Sequence, residues 1–286
     1  MYKYIASISF GKDSLAMLLL LIKNKYNIDE VIFYDTGMEF QAIYDTRDKV
    51  RKLLEKLGIK YTELKPEIPF IDKMLNIEVH KRDGSIQFGY GLCGGRCRWG
   101  TTEKNKTIEK YLKEQYGQDY KEFLGIACDE TVRIEKERNG HKLLPLLDWK
   151  MTEQDCLEYC YNSGFYWEEN GVRLYDALDR VSCWCCGNKN KKELENMRVY
   201  LPQYYLKYID ILKKIKKNNK KGIVVDKAKE QFMKLFWRGV TNELWNWDRW
   251  TNHRKGKATN EYIYRTSLYS NKNKELWIFS ASNICI

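Results

Sequence analysis

The sequence predicts an α/β fold: a parallel β-sheet covered by helices on both faces, followed by a helical, Trp-rich C-terminal appendage. Three observations carry this. Apolar, β-prone runs alternate with helix-patterned segments over residues 1–180, and such alternation builds a parallel sheet with crossover helices. The first run ends in a Gly-containing turn that opens directly into an apolar helix. Beyond Lys217 the alternation stops, and Trp237, Trp245, Trp247, Trp250 and Trp277 mark the remainder. The expected organisation is an α/β domain over residues 1–217 and an accessory region over residues 218–286.

The first strand begins at Tyr4 and stops at Ser9-Phe10-Gly11-Lys12-Asp13-Ser14, after which Leu15–Leu21 reads as the body of a buried helix. Strand, glycine turn and helix together make an anion hole. N–H groups at the helix start point outward, and the helix dipole favours negative charge there. Gly11 lets the backbone approach a phosphate closely, Ser9 and Ser14 offer hydroxyls, and Lys12 supplies a counter-charge. Asp13 opens the helix, where a carboxylate is favoured. The spacing is not that of a Walker A loop, which is longer and ends in Gly-Lys-Ser/Thr.

Glu30–Tyr34 reads as a second buried strand ending at Asp35-Thr36-Gly37, with a helix from Gln41 to Leu57. Ligands of open α/β sheets bind outside the carboxyl ends of the strands, so these two polar turns converge on one crevice. Ile59–Leu64 is a third strand. A loop-rich span through Pro66, Pro69 and Gly89–Gly95 leads to a helix over Thr101–Tyr116 and a strand over Lys121–Cys128. Thr152-Glu-Gln-Asp155 has capping-box spacing and starts a helix to about Tyr161. Asn190–Lys217 is helical, broken or kinked at Pro202.

A chain of 286 residues can bury a full core. It holds no apolar run of the roughly 18 residues that a membrane span needs, and its first strand leaves no room for a signal peptide. A cytoplasmic protein is expected, whose nine cysteines are thiols or metal ligands rather than disulfides. The net charge of +11 is uneven: residues 188–230 carry 13 Lys/Arg against five Asp/Glu. A polyanion, with nucleic acid the leading candidate, is the expected partner of this segment; a solvated helix face is the plain alternative. Tyr200, Tyr204, Tyr205 and Tyr208 suit base stacking and helix packing equally.

Cys93-Gly-Gly-Arg-Cys97 and Cys183-Trp-Cys185-Cys186 each carry a pair at a spacing that lets two thiolates meet one metal. Both lie in turn-like, Gly-flanked contexts. The expected ligands are Cys93, Cys97, Cys183 and Cys186, around structural Zn²⁺ or a [4Fe–4S] cluster, between which composition does not choose. Cys185 is either a spare, reactive thiol or the fourth ligand. Cys128, at the end of an expected strand, and Cys156 and Cys160, on one helix face, read as buried structural cysteines. The three histidines are too scattered to form a site.

Ser9–Ser14 resembles the PP-motif, Ser-Gly-Gly-Lys-Asp-Ser, of the ATP pyrophosphatase superfamily, with Phe10 in place of the first glycine. Asp35-Thr36-Gly37-Met38-Glu39-Phe40 resembles the Asp-Thr-Gly-x-x-Phe element of its phosphoadenosine phosphosulfate (PAPS) reductase branch. Arg98-Trp99-Gly100-Thr101, Gly125–Glu130 with Arg133, and Leu144–Trp149 are similar to further elements of that branch. The ordered series covers about residues 4–200, and on it the chain is identified as a member of the PAPS reductase-like family.

The resemblance implies a Rossmann-like, adenine nucleotide alpha hydrolase-like core that binds ATP, or a sulfonucleotide, with Mg²⁺. Ser9, Phe10, Gly11, Lys12, Asp13, Ser14, Asp35, Thr36 and Gly37 would hold the nucleotide, with Lys12 and Asp13 catalytic. Arg98, Lys104 and Arg133 would take phosphate or sulfonucleotide oxygens. The implied reaction is ATP-driven adenylation of a substrate for sulfur transfer, with nucleic acid among the acceptors and a sulfur-donor protein as partner; independently of the resemblance, the Trp-rich tail offers an oligomer contact. Sulfonucleotide reduction is the alternative. It is disfavoured because no Glu-Cys-Gly-x-His tail is present and Cys285 sits in Asn-Ile-Cys-Ile. A non-catalytic nucleotide- and nucleic-acid-binding protein is a third reading.

Overall fold

The chain enters β1 (Lys3–Ile8), turns through Ser9–Gly11 and continues as α1 (Lys12–Lys23). This is a computed structural model, and it describes residues 2–95, 97, 100–137 and 140–218. The Trp-rich C-terminal region, Arg98 and the basic residues beyond 218 lie outside the described residues. Two further parallel units follow: β2 (Glu30–Tyr34), α2 (Gln41–Lys56) and β3 (Lys60–Leu64).

The span expected to be loop-rich contains α3 (Phe70–Leu75) and an antiparallel hairpin of β4 (Glu78–His80) and β5 (Ile86–Phe88). These short strands carry too little alternation to stand out in the sequence. Next come α4 (Thr101–Tyr116), β6 (Tyr120–Leu124), α5 (Thr131–Glu137), β7 (Lys142–Leu143) and α6 (Pro145–Asp148). The capping box at Thr152 and Asp155 forms and starts α7 (Glu153–Asn162). A second hairpin, β8 (Glu168–Glu169) with β9 (Val172–Arg173), leads to α8 (Leu174–Ala177). The last described helices are α9 (Lys191–Tyr200) and α10 (Pro202–Asn218). The break falls at Pro202, whose missing N–H costs nothing at the first position of a new helix.

The expected strand Lys121–Cys128 ends earlier, at Leu124, because Gly125 turns the chain. Cys128 therefore lies beyond β6 and is only half-buried, not buried as expected, its N–H donating to the Met151 carbonyl. Cys156 and Cys160 are fully buried on α7, as expected.

β1, β2, β3, β6 and β7 form a wholly parallel sheet in the order β3-β2-β1-β6-β7. β2 is buried along its whole length, which fits its unbroken Val31-Ile32-Phe33-Tyr34 run. α1 buries Leu15, Ala16, Met17, Leu18 and Leu21 in the same core as Phe33, Phe40, Trp167 and Met197. The chain moves outward to β2 and β3 on one side of β1, then returns to place β6 and β7 on the other. The carboxyl ends of β1 and β6 thus form the topological switch point, where such sheets open a crevice.

Candidate nucleotide and thiol site

The loop after β1 sits at this switch point. Phe10 takes a left-handed φ of +57°, the conformation a glycine adopts without strain. It is held there from behind. The ring is fully buried, edge-on to Phe33 with centroids 4.9 Å apart, and its carbonyl accepts the Trp167 indole N–H at 2.8 Å. Ser14 Oγ accepts the Ser9 N–H, lies 3.1 Å from Ser9 Oγ and donates to the Gly11 carbonyl. These bonds pull the loop into a tight bow over the start of α1. Gly11, the residue before the helix, offers no side chain to the first-turn N–H groups, an arrangement an anion would complete.

Lys12 does not extend into open space. Its side chain is 10% exposed, and Nζ pairs with Asp13 at 2.8 Å and with Glu153 at 2.5 Å. Burial alone would lower its pKa, but the two carboxylates outweigh burial and raise it. Burial raises the Asp13 pKa, Lys12 opposes the rise, and Glu153 and Glu130 add to it. Asp13, whose carboxylate is taken up by Lys12, does not fit a Mg²⁺ ligand as placed. The Lys12 backbone N–H donates to the Tyr175 hydroxyl at 2.8 Å. Glu153, Trp167 and Tyr175 escaped sequence reasoning because the fold brings them in from roughly 140–160 positions away.

The loop after β2 lies beside this one along the sheet edge. Asp35 accepts from the Gly37 N–H and the Tyr44 hydroxyl, each at 2.8 Å. Gly37 stands at φ +72°, which a side chain would strain. The Thr36 hydroxyl donates to Glu39 at 2.8 Å and lies 3.7 Å from Cys183 Sγ. The Trp184 N–H donates to the Met38 carbonyl at 3.0 Å. The Asp35–Phe40 loop and the second cysteine loop are thus bonded to each other.

The loop after β6 closes the other side. A Cβ on Gly125 would stand 2.5 Å from Ser14 Cα, so only glycine lets this strand end against the first turn of α1. Arg133 pairs with Glu130 at 3.1 Å and is half exposed. Lys104, half-buried on α4, lies within electrostatic reach of Glu39, Cys183 and Arg133, and burial lowers its pKa. Burial raises the Glu39 pKa, with Lys104 opposing. Lys104 and Arg133 are therefore gathered at the same strand ends as Lys12, Asp13 and Thr36.

The two cysteine loops are stitched together. The Asn188 side chain accepts the Gly95 N–H at 2.7 Å and donates to the Gly95 carbonyl at 2.6 Å. A Cβ on Gly187 would meet the Cys93 carbonyl oxygen at 2.7 Å. Cys97 is pushed down to about 6 by its hydrogen bond with Cys93 and by the Thr101 and Gly100 N–H groups at the start of α4. Burial raises Cys183 well above the usual thiol range and Cys185 to about 12.

The buried Lys189 Nζ has no hydrogen-bond partner. It lies over the Phe40 ring and within electrostatic reach of Cys183, Cys185 and Cys186. Burial lowers its pKa, and the Glu193 carboxylate, ahead of the thiols, opposes that fall. Among the described residues no three His, Cys, Asp or Glu side chains converge in a geometry that holds a metal ion.

Comparison with known proteins gives the following. Residues 3–187 match the family described as Phosphoadenosine phosphosulfate reductase domain. The uncharacterized protein MJ0973 of Methanocaldococcus jannaschii is 29% identical over 219 residues, covering 74% of this chain and 48% of its own length. The uncharacterized protein MJ0066 of the same organism is 24% identical over 231 residues, covering 75% and 42%. The chain therefore spans about half the length of the curated relatives it matches. Among solved structures, the U34-tRNA thiolase NcsA from Methanococcus maripaludis with its [4Fe-4S] cluster is similar at a TM-score of 0.43 and 15% identity. The match covers 77% of this chain and 72% of that one.

Proposed function

The chain belongs to the phosphoadenosine phosphosulfate reductase domain family, and from that premise we propose that it is an ATP pyrophosphatase that adenylates a substrate for sulfur transfer. The observation that carries this reading is the direct bonding of the Asp35–Phe40 loop to the Cys183–Cys186 loop, through Thr36 with Cys183 and Trp184 with Met38. It sets thiols against the crevice in which a nucleotide would lie. In the proposed reaction an acceptor oxygen attacks the α-phosphorus of ATP and pyrophosphate leaves. A sulfur nucleophile then displaces AMP.

Ser9–Ser14 would cradle the pyrophosphate through first-turn N–H groups and hydroxyls, with Lys12 neutralising the charge that develops on it. Asp35, Thr36 and Gly37 would line the nucleotide, and Lys104 and Arg133 would take its remaining oxyanions. Cys93, Cys97, Cys183 and Cys186 would hold the metal centre, which supplies a structural clasp if it is Zn²⁺ and a soft site for sulfur if it is an iron–sulfur cluster. The acceptor class we favour is nucleic acid, on the strength of the basic surface of α9 and α10.

The test is pyrophosphate release from ATP in the presence of candidate acceptors, by wild type and by Lys12→Ala. A loss of about 100-fold or more on removing Lys12 is expected, the scale of one lost transition-state charge contact. Nucleotide binding with no turnover under any acceptor would leave a binding protein instead.

A further inference from the structure

The groups with which the β1–α1 loop would grip a phosphate are already occupied from within the protein. Lys12 Nζ is held by Asp13 at 2.8 Å and Glu153 at 2.5 Å, and the Lys12 backbone N–H by the Tyr175 hydroxyl at 2.8 Å. The same hydroxyl lies over Gly11, where an added Cβ would meet it at 3.3 Å. Asp13 is Lys12's neighbour in the chain, but Glu153 and Tyr175 arrive on separate elements. Glu153 is the first residue of α7, anchored by its own N–H to the Asp129 carboxylate at 3.2 Å. Tyr175 is carried by α8 and packs edge-on to Trp167, centroids 5.0 Å apart, the residue that also holds the Phe10 carbonyl.

We propose that Glu153 and Tyr175 are internal competitors for the nucleotide: they cap the ammonium and the amide of Lys12, and a nucleoside polyphosphate binds only by displacing them. This deepens the nucleotide-binding reading above and rests on it. The physical argument is one of exchange. Lys12 is nearly buried, so stripping it of a carboxylate without replacement is costly. A ligand bearing several anionic oxygens can replace both the carboxylate and the hydroxyl, whereas adenosine, with no phosphate, replaces neither. Glu153 therefore sets a threshold that favours the polyphosphate end over the nucleoside end of the ligand. Its carboxylate is 46% exposed, so it can swing into solvent when displaced while Asp13 stays in place.

The experiment is titration calorimetry of the full chain with ATP, inorganic pyrophosphate and adenosine, on wild type, Glu153→Gln, Tyr175→Phe, Lys12→Met, and Glu153→Gln combined with Lys12→Met. Glu153→Gln should bind ATP and pyrophosphate about two- to fivefold more tightly, the range for removing one competing, partly exposed charge. Adenosine binding should be unchanged. Tyr175→Phe should shift ATP in the same direction, and in the Lys12→Met background the Glu153 change should have no effect. Weaker or unchanged ATP binding by both single variants, with wild type binding normally, overturns the competition. An equal gain for adenosine overturns it too, as a general loosening of the site. Absence of ATP and pyrophosphate binding by wild type overturns the nucleotide reading itself.

Discussion

At the scale of single residues, the least expected feature is an aromatic side chain where the resembled motif has glycine. Phe10 adopts the left-handed backbone that a glycine would take, at a cost of order 1 kcal/mol or more. The surroundings sustain it, through a fully buried ring and a carbonyl held by the Trp167 indole. Trp167 is thus a supporting residue of the loop, although no local pattern singles it out. Trp167→Phe should lower stability by about 1–3 kcal/mol, because it leaves a buried carbonyl unpaired, and should weaken nucleotide binding by relaxing the bow. Urea unfolding and ATP titration would measure the two effects, and an unchanged unfolding midpoint would refute the first. The tyrosines of the basic segment divide at this scale too. Tyr204 and Tyr208 are core residues, Tyr205 is half-buried, and Tyr200 is the exposed one.

At the scale of elements, the crevice depends on how closely β6 can end against α1. Gly125 makes that possible, since its missing Cβ is the space in which the Ser14 backbone sits. Gly125→Ala would set a carbon 2.5 Å from Ser14 Cα and 2.7 Å from Ser14 N, backbone atoms that cannot rotate away. The expected outcome is a loss of about 2–4 kcal/mol, the scale of a forced backbone shift, with nucleotide affinity falling alongside it. A variant as stable as wild type would show that this approach is not required. Gly187 does the same for the cysteine loops, against the Cys93 carbonyl. The hairpin of β4 and β5 and the short β7 were not visible in the sequence, because two- and three-residue strands show no periodicity.

At the scale of the whole molecule, the described part of the basic segment divides between core and surface. α10 turns Tyr208, Ile209, Ile211, Leu212 and Ile215 inward and leaves Lys207, Lys213, Lys214 and Lys217 exposed. Lys189, by contrast, is buried near the cysteines and does not belong to that surface. If the surface meets nucleic acid, Lys213→Gln with Lys217→Gln should weaken binding and reduce the slope of log affinity against log salt by about 1.4–1.8, two released counterions. Filter binding across a salt series reads this, and an unaltered slope would mean that these lysines are a solvated face only. The parallel α/β class, the strands β1 to β3, the helix over Thr101–Tyr116, the capping box at Thr152 and the break at Pro202 were all legible in the sequence. They rest on periodicity, turn chemistry and capping, which act between near neighbours. The sequence likewise determined which residue types could grip a phosphate or a metal. Only the tertiary structure decided that Lys12 is held by Glu153 and Tyr175, that Trp167 supports Phe10, and that the cysteine loops meet each other and the Asp35–Phe40 loop. Those contacts join distant segments across the switch point of the sheet, and no local signal encodes them, because each partner is placed by the packing of its own helix or turn.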